Sequence, residues 1–416
     1  MAKRCRFLLF LPLVLFSFFT SASPLSITKS DFAALREIKN SLTDVPSSSA
    51  AATRFFSSWD FSSGADPCTS FTGVTCFSSR VTILSLGTGL SDSRGLAGTL
   101  SPAIAKLTEL SQLILFSGIV TGPIPSRLGN LRNLKVISLT NNRLTGEIPP
   151  GIFNLPNLHT LDLSHNQLSG RIPPATPGLN QLKVLILSNN QLLGKLPSTF
   201  WDQLLHMDLS NNYITGTLPE KMPSELRYLS VSNNRLWGPI DGLESLSELA
   251  YLDLSMNRFS GPIPNTLFRP GITSMLLQRN NLSGLVPQSP PWSYVAGSTF
   301  DLSHNFLTGE LTPALIGVET LFLNNNRLNG LVPEGYAQSV KSGTMKTLYL
   351  QHNYITGFPI EEGYVLPETT AVCLSYNCME EPPLGMAACP ASAGDQISRP
   401  AYQCAASRYH NSSSMV

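Results

Sequence analysis

The sequence predicts an α/β solenoid, a stack of short coils that share one parallel sheet. Three observations carry this. Near-copies of LxxLxLxxNxLxGxIP fill most of the 416 residues, as in LKVISLTNNRLTGEIP (134–149), LHTLDLSHNQLSGRIP (158–173) and VETLFLNNNRLNGLVP (318–333). A marker asparagine (Asn142, Asn166, Asn190, Asn212, Asn234, Asn257, Asn280, Asn305, Asn326 and Asn353) recurs every 21 to 27 residues, the period of a solenoid unit. The cysteines beyond the N-terminal segment flank these copies rather than interrupt them, as end caps would.

Each letter of the repeat has a physical reason. In LxLxx alternate residues point in and out, as in a short strand. The two leucines face the core, and the residues between and after them face solvent on the concave side. One copy cannot bury its leucines alone, so neighbours must stack. The asparagine turns the chain inward, where its amide satisfies backbone groups the turn leaves unpaired. In (T/S)-G-x-(I/L/V)-P, glycine permits an unusual turn and proline stops further pairing.

TGEIP (145–149), SGRIP (169–173), TGTLP (215–219) and SGPIP (260–264) resemble the plant subclass of leucine-rich repeats. That subclass is found in ectodomains of plant receptor-like kinases and receptor-like proteins and in polygalacturonase-inhibiting proteins. The resemblance covers about residues 27–404. It implies a right-handed leucine-rich-repeat superhelix with a parallel concave sheet and disulfide-bonded end caps, and a second short strand in each Gly-x-Ile-Pro segment.

The ends follow in order. Lys3, Arg4 and Arg6 precede the apolar FLLFLPLVLFSFF (7–19) and the small residues TSAS (20–23), the layout of a secretory signal peptide. No run of 18 apolar residues follows, so no transmembrane segment is expected in the mature chain. Residues 24–80 read as an N-terminal cap. KSDFAALREIKNSL (29–42) places Phe32, Leu35, Ile38 and Leu42 on one helical face, with Ser30 or Asp31 as its cap. Trp59 and PCTSFTGVTC (67–76) then resemble the plant cap pattern W…C…GVxC, with Phe71 where that pattern has Trp; the resemblance implies a Cys68–Cys76 pair. About twelve repeats span 81–360, and 361–416 is a C-terminal cap with a polar tail. Its Cys373, Cys378, Cys389 and Cys404 allow three pairings. An oxidising compartment and the lack of CxxC spacing favour disulfides over zinc.

Composition bounds the partners. Only 13% of residues are charged. Without Lys3, Arg4 and Arg6, 25 basic residues face 27 acidic ones, which argues against nucleic acid as a partner. Asn281-Leu-Ser and Asn411-Ser-Ser are glycosylation sequons. HExxH, GxSxG and Walker motifs are missing, so neither an enzyme nor a cofactor is expected. Asp162, Asp208, Asp253 and Asp301 are one repeat position seen four times, solvating the inner sheet. His165, His304 and His352 precede marker asparagines in separate copies and read as solvated residues.

Departures from the repeat mark the expected binding surface. Early copies show Ile114, Phe116, Ser138 and Thr140 on the concave face; middle copies add His206, Tyr228 and Tyr251; late copies carry Leu276, Gln278, Arg279, Phe322, Asn324, Tyr349 and Gln351. Aromatics flanked by amides and arginine are what binding surfaces favour. Tyr228, Tyr251, Gln278, Arg279, Phe322, Asn324, Tyr349 and Gln351 are therefore the candidate partner-binding residues, weighted to the C-terminal half. Insertions at 87–99, 287–299 and 333–344 should form flanking loops, with Trp292 and Tyr294 outside the repeat core. The expected function is a secreted recognition protein of the plant extracellular space, or apoplast. Its partner would be a protein or peptide, such as a receptor ectodomain or a pathogen hydrolase, in defence or cell-wall signalling. The alternative is a wall-associated protein that binds polysaccharide. Polygalacturonase inhibition ranks lower, because the C-terminal cap departs from that group's pattern.

Overall fold

The computed structural model describes residues 27–46, 54–62, 64–89, 95–174, 181–286, 293–384 and 389–405. The expected signal peptide, Trp292 and Asn411 lie outside them. The chain forms an α/β solenoid. One sheet of 14 strands runs its length, and sheets of five and eight strands line the other side of the coils. In the long sheet Val74–Phe77 pairs antiparallel with Arg80–Leu86, and every later pairing is parallel. Its strands are mostly three residues long, as in Thr160–Asp162, Val184–Ile186 and His206–Asp208. They pair without offset: Leu161, Leu185 and Met207 lie opposite one another. That register puts every LxL leucine on the same side, where Leu161, Leu163, Leu185 and Leu187 are fully buried. Burying each contributes about 1.5–3 kcal/mol relative to exposure.

The marker asparagines hold one copy to the next. Asn257 Oδ1 accepts from Leu236 N–H at 3.0 Å, and its Nδ2 donates to Val231 O of the preceding copy and to Leu254 O of its own. The same pattern recurs from Asn142 onward, for instance at Asn190 and Asn326. Asn377 repeats it on Ile355 N–H and Leu350 O. The inner sheet therefore gains a strand, Ala371–Cys373, inside the segment assigned above to the cap.

The second half of each copy makes the outer strands. Gly238 has φ +85°, and a Cβ there would sit 2.9 Å from Thr217 of the preceding copy; at Gly309 it would sit 2.5 Å from Leu285. Each glycine thus lies beneath a side chain of the copy before it, and a Cβ would also strain its left-handed backbone.

At the N-terminal end, helix Lys29–Ser41 is capped by Thr28, whose side chain accepts from Asp31 N–H. The sequence pointed to Ser30 or Asp31. Asp31 is instead fully buried: it accepts from Val81 N–H at 2.9 Å and pairs with Arg80 at 3.1 Å. Leu42 leaves the helix for a strand, Leu42–Asp44, antiparallel to Leu96–Thr99. Trp59 is fully buried, stacks on Phe71 at 5.2 Å, and donates from Nε1 to Thr72 O. Cys68 and Cys76 are bonded.

Two insertions are not loops. Leu96–Thr99 is the strand just described, and Glu334–Lys341 is a helix that buries Tyr336, whose hydroxyl donates to Thr312 O. Tyr294 also belongs to the core. It is 7% exposed, meets Phe300 edge-on at 5.1 Å and donates to Ala314 O. Burial pushes its hydroxyl up to about 12. The C-terminal cysteines pair as Cys373–Cys389 and Cys378–Cys404.

Candidate functional site on the inner sheet

The inner sheet presents its outward-pointing residues in columns. The first column runs Val136, Thr160, Val184, His206, Tyr228, Tyr251, Ser274, Thr299, Thr320, Thr347, since these are register partners on consecutive strands. The second runs Ser138, Asp162, Ile186, Asp208, Ser230, Asp253, Leu276, Asp301, Phe322, Tyr349, Cys373 by the same pairings, with the last step to Cys373.

Three aromatics meet in the first column. His206 and Tyr228 stack with centroids 4.0 Å apart and planes 6° from parallel; Tyr228 and Tyr251 stack at 4.3 Å and 2°. All three are half-buried. Burial lowers the His206 pKa against the opposing pull of Asp208 and Asp162, and it raises both tyrosines; Tyr251, Asp208 and Asp253 raise Tyr228 further, and Asp253 and Asp208 raise Tyr251 while its hydrogen bond with Tyr228 pulls the other way. In the second column, Phe322 and Tyr349 meet edge-to-face at 5.2 Å.

The acidic positions have a structural task that the sequence did not reveal. Asp162 Oδ1 accepts from Ser164 N–H and Oγ–H, Asp253 does the same with Ser255, and Asp208 and Asp301 accept from Ser210 and Ser303 N–H. DLS is thus a local turn device as well as an inner-face charge. Burial raises the Asp301 carboxyl, and its bonds to Ser303 pull the other way.

The remaining candidates separate. Asn324 is 9% and Gln351 2% exposed, so their amides belong to the interior rather than to an open surface. Gln278 is half-buried, and the Oε1 atoms of Gln278 and Gln351 are buried without a hydrogen-bond partner. Arg279 is exposed, but it stands on the turn, one copy before His304 and two before Phe322, rather than beside the aromatic pair. It belongs to a row that sequence reasoning missed. The residue before each marker asparagine is left-handed, with φ between +49° and +61° at Asn141, His165, Asn189, Asn211, Asn233, Met256, Arg279, His304, Asn325, His352 and Tyr376. Asparagine tolerates this conformation best among residues with a Cβ. The recurrent NN dipeptide was the available signal. Where the row is polar it bonds along its length: Asn233 donates to Asn211 at 2.7 Å, and Asn189 lies 3.3 Å from His165 Nε2. Burial and Arg279 both lower the His304 pKa.

The C-terminal segment closes the far end. Cys373, last in the second column, is bonded to Cys389; His352 Nε2 lies 3.0 Å from Ala393 O; and Tyr376 N–H donates to Ile397 O. Arg399 lies over the rings of Tyr354 and Tyr376, at 4.2 and 4.5 Å, and donates to Asn353 O. Asn281 is exposed at the start of an outer strand, Asn281–Leu285, away from the inner columns. Among the described residues no helix is long and apolar enough to cross a membrane.

Comparisons with known proteins agree with this architecture. A leucine rich repeat model matches residues 132–192, a second matches 203–224 and 248–269, and a leucine rich repeat N-terminal domain matches 28–77. The matched segments and the solenoid they sit in are those of leucine-rich repeats behind a leucine-rich-repeat N-terminal domain. Among solved structures the chain is similar to PEPR1-AtPEP1, at 27% identity and a TM-score of 0.67 over 85% of this chain and 52% of that one. It is similar to a TDR receptor at 29% and 0.62 over 68% and 50%. A plant ice-binding protein aligns at 28% and 0.57 over 80% of this chain and 97% of its own. The chain thus spans about half the length of the first two. No curated protein matches it.

Proposed function

We propose that the protein is a secreted recognition module of the plant extracellular space whose inner sheet binds a protein or peptide in defence or wall signalling. The observation that carries this is the His206–Tyr228–Tyr251 stack. Three half-buried aromatics stand on consecutive strands of a sheet whose other outward positions are mostly small or polar. Partly exposed aromatics held rigidly by their neighbours lose little entropy on binding, which is why they anchor interfaces. The similarity to a TDR receptor supports a ligand-binding role. Matching ice, as the name of another similar protein suggests, needs a flat and regular surface. The outer strands here instead expose Tyr213, Trp237 and Phe306, with Arg235 over Tyr213 and Arg327 over Phe306.

The test is retention from extracellular fluid on the immobilised protein. Wild type and Ser138→Ala should retain the same species, and Tyr228→Ala with Tyr251→Ala should lose it. Equal retention by all variants rejects the inner-sheet reading. Elution by pectin or glucan rather than by salt would move the protein to the wall-polysaccharide class.

A further inference from the structure

The aromatic stack ends differently on its two sides. His206, Tyr228 and Tyr251 hold one register position on consecutive strands. Beyond His206 that position is Val184, a branched apolar side chain. Beyond Tyr251 it is Ser274, and then Thr299. The rings already present are 4.0 and 4.3 Å apart, close to the strand spacing of about 4.8 Å. A fourth ring in phase would therefore stand over Ser274, where the chain supplies only a hydroxymethyl group. One face of Tyr251 is covered by Tyr228, and the other looks across Ser274.

The second column sets the character of that space. Opposite Asp253 lies Leu276, and opposite Leu276 lies Asp301. Leu276 is a half-buried apolar residue between two carboxylates. Asp253 is held in place by Ser255 N–H and Oγ–H. An aromatic ring edge and an aliphatic stem suit Leu276, whereas sugar hydroxyls would find no partner on it. The carboxylates on either side favour a cation.

We propose that the free face of Tyr251 over Ser274 is a stacking slot for one aromatic side chain of a peptide, with an adjacent lysine or arginine of that peptide lying over Leu276 against Asp253 and Asp301. The slot rests on the recognition reading above and specifies its ligand. Its distinctive variant is Ser274→Tyr, which supplies the fourth ring from the protein itself and touches no core leucine.

The probe is a phage-displayed random peptide library panned on the full secreted protein. Enriched peptides are then measured by calorimetry against wild type, Ser274→Tyr, Tyr251→Ala and Phe322→Ala, each confirmed as folded by its melting curve. The expected peptides carry an aromatic residue beside a basic one. Ser274→Tyr and Tyr251→Ala should each weaken them about 30-fold or more, and Phe322→Ala should leave them unchanged. Enriched peptides that lose affinity in Phe322→Ala but not in Ser274→Tyr overturn the slot and leave inner-sheet recognition standing. Peptides that need no basic residue overturn the cationic occupant. Displacement by pectin or glucan fragments that Ser274→Tyr also blocks overturns the peptide in favour of a sugar ring. If no enriched peptide responds to any of the three variants, both the slot and the recognition reading fail.

Discussion

In the middle of the inner sheet the aromatics occupy the first column and lie face to face, and the next residue in that column is Ser274. Near the C-terminal end they occupy the second column and meet edge to face, and the next residue in that column, Cys373, is bonded to Cys389. The chain beyond Cys389 then lies against the last turns through His352, Tyr376 and Arg399. The sequence singled out the middle copies for aromatics at the strand entry and the late ones for the loss of DLS. The structure separates a surface left open from one that is being closed. A solenoid must end its core somewhere, and large residues at the end serve that closure, whereas the same residues in the middle have no such task.

The comparison can be broken hardest in the middle. Asn257→Ala removes a side chain that serves Leu236 N–H, Val231 O and Leu254 O, all buried. Unmet groups cost about 1–3 kcal/mol each, so a total loss of about 3–5 kcal/mol is expected. Denaturant unfolding reads this, and a loss below about 1 kcal/mol would mean that the ladder is not what joins the copies. Next comes the closed end. Removing the 373–389 disulfide as Cys373→Ser with Cys389→Ser opens a 16-residue separation, expected to cost about 3 kcal/mol. Hydrogen exchange should rise at Gln351–Asn353 and stay unchanged at Tyr228–Ser230. Equal acceleration at both would show that the two regions are not independent.

A smaller and opposite effect is expected on the turn row. Met256 and Arg279 adopt left-handed backbone that asparagine tolerates better. Met256→Asn should raise stability by about 1 kcal/mol, seen as a higher melting temperature. A lower one would show that the methionine makes contacts worth more than the strain.

The smallest effect is on pH. Burial holds the His206 pKa below 6.5, so the folded chain refuses a proton that the unfolded chain accepts. Its stability contribution is complete above the unfolded pKa and declines as pH falls below it. His304 acts in the same direction. Asp301, with its carboxyl raised, gains stability on acidification, but only as pH approaches the carboxylate range. The drop in melting temperature from pH 7 to pH 5 should shrink in His206→Phe and shrink again when His304→Asn is added. An unchanged drop would mean that the imidazole in the stack is as well solvated as in the unfolded chain.

The solenoid and the role of the marker asparagines were legible because each copy repeats the same instruction, and the Cys68–Cys76 bond because its motif resembles a known cap. What escaped did so for particular reasons. The DLS bonds hid because Asp and Ser at an outward position read equally well as solvated residues. The left-handed row hid because Asn beside Asn looked like a polar turn, although only the first of the two carries the backbone requirement. Tyr294 was placed outside the core because its insertion breaks the period, and burial of a residue between copies leaves no periodic trace. Asn324 and Gln351 looked exposed because their column is outward-facing; nothing local tells that the interior takes them in. The aromatic stack was half visible, since sequence named its members but could not show that they lie in phase on consecutive strands.

The glycines of the outer strands give the array a direction. Thr217 lies over Gly238 and Leu285 over Gly309, always the earlier copy upon the later. The units overlap like roof tiles laid from one eave. A bulky substituent at Gly309 would lift Leu285 of the tile above it and reach nothing of the tile below. Damage at one glycine should therefore loosen the roof toward the N-terminus, so that the place where such a lesion is felt lies one tile upstream of the place where it is made.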